Sequence, residues 1–367
     1  MKKIAIVHYL PLEFYPPITN LLEIASKRDL KFKVWSTHNN KKRKVFGNTD
    51  NVNIVRNYFP SVKEKGWIRL FKYFYFNLKC LMGLVFYSPD KVLYFESYSV
   101  WPVYWYLKIC FKKPEIFIHY HEYCSKDWYK NGMKLVNFYH KYELETLYNL
   151  ATWISQTNLD RVKLFLKDHP NIEPSKVKAL PNYPPQKWSG FKRMKTSDKL
   201  PIKVVYVGAI SLKDTYIKEF CEWVVKQEGR VIFDIYSYNL HQNTLEYLKG
   251  VESNYINFFE HGIEYDQIPE IINGYHVGVI LYKATTINYK YNAPNKLFEY
   301  LAVGLNVWYP KVMMGIHPFG SSKVISLDFA NLGGFQYEKE IELEGKKDSQ
   351  IYVAEEALNP LINELER

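Results

Sequence analysis

Short β-branched and aromatic runs alternate with longer helix-patterned stretches along this chain, stop at a proline-rich basic segment, and then alternate again. Before the break the strand-like runs are KIAIVHYL, KFKVWST, KVLYFES, PEIFIHYHEY and TWISQT, with helices predicted near 18–28, 66–87, 99–111, 133–149 and 158–167. Strands that alternate with helices build βαβ units and a parallel sheet. The break, VKALPNYPPQKWSGFKRMKTSDKLP, has no periodicity and reads as a linker. After it come IKVVYVGAI, RVIFDIYS, INFFEHG, VGVILYK and NVWYP, separated by helices near 214–228, 241–250, 266–273 and 294–303. A chain of 367 residues exceeds the usual span of one core, so two α/β domains are expected. They are placed at 1–182 and 201–349, joined by a linker at 183–200. The acidic helical tail at about 350–367 is expected to pack back on the basic first domain.

Charge divides the same way. Residues 1–200 hold 34 Lys and Arg against 16 Asp and Glu, a net of +18; residues 201–367 hold 15 against 22, a net of −7. A basic half attracts phosphates, whether on nucleic acid, anionic lipid or a phosphorylated substrate. No nucleic-acid-binding module is recognisable, so no nucleic acid is expected as partner. The segment WIRLFKYFYFNLKCLMGLVFY could lie on an anionic membrane surface or be a core helix with snorkelling lysines. Charges interrupt it and the later run VLYFESYSVWPVYWYLKICF, so neither is expected to span a bilayer. The opening MKKIAIVHYLPLEF reads as a first strand rather than a signal peptide. Cys80, Cys110, Cys124 and Cys221 form no C-x-x-C pair, which speaks against a zinc site or a disulfide framework and fits a reducing cytoplasm.

The most informative stretch is YNAPNKLFEYLAVGLNVWYP, whose helix begins after the apolar strand VGVILYK and ten residues of loop. Pro294 suits a first helical turn, Asn292 an N-cap and Gly304 a left-handed C-cap. A helix N-terminus at the carboxyl end of a strand is where open α/β sheets bind anions. Lys296 works against the helix dipole there unless a polyanion is bound. Glu299 shares a face with Asn295 and Lys296, so the group can take a nucleoside diphosphate: Lys296 and the free amides on phosphate, Glu299 on ribose hydroxyls. The plainer reading pairs Glu299 with Lys296 on a solvated face.

NAPNKLFEYLAVGLNVWYP resembles the P-x-K-x-x-E-x-x-A-x-G-x-P-V signature of glycosyltransferase family 4, retaining transferases of GT-B fold. HGIEYDQIPEIINGYHVGVILYK is similar to that family's G-x6-L-P stretch and its strand ending in Pro-Tyr, which puts Tyr282 in the donor site. KVVYVGAI, KVKALPNYPP and FIHYHEYCS are similar to the strand opening the second domain, the hinge, and a first-domain strand ending in His-Glu or His-Asp. The resemblance implies two Rossmann-like domains with parallel sheets facing a cleft. It implies a nucleotide-sugar donor, UDP- or GDP-linked, and a glycan or lipid-linked acceptor held by the N-terminal domain, in bacterial-type surface polysaccharide biosynthesis. Glu299 matches the second acid of the family's E-x7-E pair. Gly208, Lys213, Pro294, Asn295 and Lys296 fall in the segments that approach donor phosphate and sugar, and His121 matches the histidine that orients the donor sugar or stabilises its developing charge. His121 and Glu299 are the implied catalytic pair.

Three positions depart from the family. Tyr291 stands where the first acid of the pair is expected, Ala209 where arginine is common, and Tyr183 where the hinge usually has glycine. Loss of that acid points to altered donor handling, and leaves a turnover-deficient nucleotide-sugar-binding partner or a membrane-surface scaffold as alternatives. HEYCS lacks the second histidine of H-E-x-x-H, and neither a P-loop nor G-x-G-x-x-G occurs. With no D-x-D to hold a divalent ion on the diphosphate, no metal and no other cofactor are expected. The implied location is the cytoplasm, peripheral on the inner face of the membrane.

Overall fold

The apolar runs fold into two all-parallel sheets in a computed structural model that describes residues 1–38, 44–61, 63–191, 201–238, 240–335 and 352–367. The first unit takes Met1–Pro181 with Ala354–Arg367, and the second takes Asn182–Val353.

In the first unit the strands are β1 (Lys2–Pro11), β2 (Leu30–His38), β3 (Val52–Tyr58), β4 (Lys91–Phe95), β5 (Glu115–Tyr120), β6 (Ala151–Gln156) and β7 (Val177–Ala179), in the order β3-β2-β1-β4-β5-β6-β7. Every residue of β4 is buried, as expected of a central parallel strand covered on both faces. The order reverses between β1 and β4, which makes the carboxyl ends of those strands the switch point where doubly wound sheets bind ligands.

The second unit repeats the plan with β8 (Ile202–Val207), β9 (Val231–Tyr236), β10 (Ile256–Phe259), β11 (Val277–Val279), β12 (Asn306–Pro310) and β13 (Val324–Leu327), in the order β10-β9-β8-β11-β12-β13. Its switch point lies between β8 and β11, where Gly278 pairs with Val205.

The sequence did not anticipate β3, β7 and β13. All three sit at sheet edges, where one side of the strand has no neighbour and the apolar pattern weakens. The C-terminal helix Ala354–Glu366 belongs to the first unit, and apolar burial rather than charge holds it: Leu358, Leu361, Ile362 and Leu365 pack with Ile4, Ile6, Leu21 and Leu22. Lys91 adds a 2.6 Å hydrogen bond to the Glu364 carbonyl. Tyr183–Phe191, predicted as linker, packs with the second unit, because Trp188 is buried there with its ring 4.9 Å from that of Tyr265. The remainder of the predicted linker, 192–200, and the expectations for 336–351 lie outside the described residues.

Candidate functional site

Gly208 follows β8 with a φ of +132°, which L side chains rarely adopt. A Cβ at this position would stand 2.6 Å from Lys296 Nζ, so the bare backbone is what lets the lysine lie across the strand end. Lys296 Nζ also donates to Tyr282 Oη at 3.1 Å, and sits 5.3 Å and 5.4 Å from the ring centres of Tyr206 and Tyr282. Among the described residues Lys296 has no carboxylate partner; aromatic faces, worth about 0.5–2 kcal/mol, hold its charge at the positive end of a helix.

That helix runs Asn295–Ala302. Pro294 is itself the N-cap, with φ −70° and ψ 153°, so the cap falls two residues later than the Asn292 predicted for it. A proline cap has no side-chain acceptor and leaves the first helical amides without one. Gly304, φ +85°, ends the helix in the left-handed conformation. The helix is fixed against the sheet by Tyr300, whose hydroxyl accepts from Val207 N at 3.1 Å and whose ring covers Gly278, where a Cβ would lie 2.2 Å away.

Glu299 is buried, 8% exposed, and makes no hydrogen bond or ion pair among the described residues, so it does not pair with Lys296 on a solvated face. Burial pushes its pKa up to about 7, with the Lys296 charge pulling the other way. A buried carboxylate without donors is a site for hydroxyls.

The predicted loop before the helix contains a one-turn helix, Ile287–Lys290, capped by Thr286, which ends at Tyr291. A Cβ on Gly315 would lie 2.5 Å from the Tyr291 carbonyl, so that glycine lets the following turn press against the Tyr291 backbone. Asn295 opens the helix half-buried. Gly208, Tyr282, Pro294, Asn295, Lys296 and Glu299 thus share one end of the second sheet. Lys213 is exposed in a turn held by Ser211, and its ammonium makes no hydrogen bond or ion pair among the described residues.

A second cluster lies at the switch point of the first unit. His121, one residue past β5, is 7% exposed, stacks on Phe95 at 5.2 Å and 11°, and lies 4.9 Å from the ring of Tyr15 and 4.8 Å from that of His119. Both its ring nitrogens are buried without a hydrogen-bond partner. Burial first, then His119, His8 and Arg161, hold its pKa well below the ordinary histidine value, so the ring is neutral and can orient a hydroxyl but carries no charge. His8 and His119 are likewise held near 3, chiefly by burial.

Glu96 was missed in the sequence, where it figured only as a charge interrupting an apolar run. It follows β4 with φ +61° and ψ 154°, a region essentially reserved for glycine that costs about 1–3 kcal/mol. Its Oε1 accepts from the backbone of His121 at 2.6 Å and of Glu122 at 3.2 Å, and burial, with Glu122 adding to it, raises its pKa to about 8. An acid just past the carboxyl end of a strand was the available signal. Arg161, also buried, donates to the His121 carbonyl at 2.7 Å, so the His121 backbone is fixed from both sides. Among the described residues no group of three or more His, Cys, Asp or Glu side chains is placed to hold a metal ion.

Two units of this strand order in one chain define the GT-B class, the fold of many glycosyltransferases. The chain is similar to the apo form of the lipopolysaccharide outer core galactosyltransferase WaaB, at 14% identity over 99% of each chain with a TM-score of 0.65. An α,α-trehalose-phosphate synthase (UDP-forming) from Burkholderia xenovorans, solved with glucose-6-phosphate, is 11% identical over 99% of this chain and 96% of that one, TM-score 0.64. A UDP-GlcNAc 2-epimerase from Neisseria meningitidis bound to UDP-GlcNAc is 13% identical over 100% of this chain and 99% of that one, TM-score 0.61. At these identities the likeness is one of fold. No family model matches the sequence, and no curated protein does.

Proposed function

We propose that this protein is a retaining, metal-independent glycosyltransferase of family 4 type. It would move a hexose from a UDP- or GDP-sugar to a glycan or lipid-linked acceptor in surface polysaccharide biosynthesis, in the cytoplasm. The observation that carries the reading is the placement of Lys296 against Gly208 and Tyr282, with the unpartnered Glu299 one turn further along the same helix. The WaaB galactosyltransferase and the UDP-forming synthase share its fold, which supports a nucleotide-sugar donor.

Transfer breaks the bond between the sugar's anomeric carbon and the diphosphate, so negative charge grows on the leaving oxygen. Lys296 and the uncapped amides after Pro294 meet that charge, with Lys213 reaching in from its exposed turn. Glu299 accepts from the ribose hydroxyls, and Asn295 and Tyr282 line the diphosphate. The neutral ring of His121 accepts from or donates to a sugar hydroxyl. Tyr291, in place of an acid, sets which sugar is accepted. Titration calorimetry with UDP and GDP tests the binding half of this reading: one nucleotide binds, and Lys296→Gln weakens it by roughly 10–100-fold, the range for losing a charged hydrogen bond. Binding of neither overturns it.

A further inference from the structure

The helix Gly66–Tyr87 buries Tyr73, Phe76, Asn77, Cys80 and Leu84 in the first unit. Its opposite side should be polar in a water-facing helix. Instead Trp67, Phe71, Phe74, Leu78, Met82 and Phe86 are exposed, by 68%, 64%, 54%, 37%, 48% and 86%. At about 100° per residue these six form one stripe, set roughly opposite the buried face and about 30 Å long.

The apolar surface continues onto two neighbouring helices, Val100–Ile109 and Lys134–Tyr142. Phe74 meets Trp101 at 6.4 Å, Trp101 meets Trp105 at 6.2 Å, and Trp105 meets Tyr104 at 5.5 Å. Tyr104 stacks on Tyr142 at 4.1 Å, and Tyr142 meets Phe138 at 5.4 Å. Trp105, Ile109, Phe111 and Phe138 are exposed along this seam, Phe111 completely. Solvent-facing apolar surface on this scale marks an interaction site.

Charge decides the occupant. The three helices carry Arg69, Lys72, Lys79, Lys108, Lys134 and Lys141, and no Asp or Glu, although Lys72 pairs with Glu64 just before the first of them at 2.6 Å. A second copy docked on this face would bring cations to cations, with no acid on the three helices to meet them. Aromatic side chains interleaved with cations and free of acids suit the headgroup region of an anionic bilayer, where Trp and Tyr are enriched and each nearby Lys or Arg adds attraction. Among the described residues no helix is long and apolar enough to cross a membrane, so the fitting arrangement is a protein lying on the surface.

We propose that the face formed by helices Gly66–Tyr87, Val100–Ile109 and Lys134–Tyr142 binds an anionic lipid bilayer, with Trp67, Phe71 and Phe74 inserted between headgroups. This is independent of the nucleotide-sugar reading, since none of the residues it invokes is given a role there. The test is co-sedimentation of the full chain with vesicles of phosphatidylcholine alone and of equal parts phosphatidylcholine and phosphatidylglycerol. The protein pellets with the anionic vesicles. Trp67→Ser/Phe71→Ser/Phe74→Ser weakens that binding at least about tenfold, as expected from losing three inserted apolar side chains. Arg69→Glu/Lys108→Glu removes the preference for anionic lipid. Because these side chains are exposed, unchanged melting curves serve as the folding control. No vesicle binding, binding untouched by the triple substitution, or a dimer in sedimentation that the triple substitution splits would each overturn the proposal, the last in favour of an interface between copies.

Discussion

The ammonium of Lys296 occupies the space in which a Cβ on Gly208 would stand, 2.6 Å away. Strand end and helix start are therefore fitted to each other through one missing methyl. Gly208→Ala both strains a backbone at φ +132° and displaces the lysine, so it is expected to lower stability by about 1–3 kcal/mol and weaken nucleotide binding together. Gly278→Ala drives a Cβ into the Tyr300 ring at 2.2 Å and shifts the helix as a body. Melting temperature and calorimetry on the two variants check both expectations.

Glu299 makes stability and binding depend on pH in opposite directions. Its pKa is raised from 4.5 to about 7 in the folded protein, so the folded state holds the proton longer. Its contribution falls as pH rises from about 4.5 to 7 and is fully lost above that window, a change on the order of 3 kcal/mol. In the proposed role the ionised form accepts ribose hydroxyls, so nucleotide affinity is expected to rise through pH 7. Denaturant unfolding and calorimetry across pH 5 to 8 should show both slopes, and Glu299→Gln should flatten both.

His121 makes no ring hydrogen bond and stacks on Phe95, so a phenyl ring replaces it without leaving a buried polar partner behind. His121→Phe is expected to change stability by less than about 1 kcal/mol. Sugar transfer is expected to fall at least 100-fold. A structural histidine would give the reverse pattern, and paired melting and kcat measurements separate the two.

Leu361, fully buried, belongs to the first unit's core although it lies near the far end of the chain. Leu361→Ala is expected to cost about 2–5 kcal/mol, read by denaturant unfolding. If the terminal helix were held by its acids, neutralising the exposed Glu356 would cost as much; Glu356→Gln is expected to change stability by less than about 0.5 kcal/mol.

Central strands were legible in the sequence because burial on both faces writes an unbroken apolar run, as in β4 and β12. Of the four edge strands only β10 was read, in INFFEHG; β3, for one, mixes Asn53, Arg56 and Asn57 with its apolar residues. The linker misled because Trp188, a core residue, stands among prolines and lysines. At the second switch point the spacing of Pro294, Lys296 and Glu299 marked the helix, but nothing local showed that Tyr206 and Tyr282 would cradle the lysine, since those contacts join segments far apart in sequence. Glu96 escaped notice because its strained backbone and its hold on the His121 amide exist only in the folded sheet.

The central claim is that the second unit binds a nucleotide sugar for transfer. Its most direct test is incubation of the full chain with a panel of UDP- and GDP-sugars, following both nucleotide release and the identity of the sugar, since the same fold also serves a UDP-GlcNAc 2-epimerase. One donor is expected to release its nucleotide with the sugar's configuration otherwise intact, and Glu299→Ala and His121→Ala are expected to abolish release. Sugar epimerisation, or no release from any donor despite tight nucleotide binding, would contradict the claim.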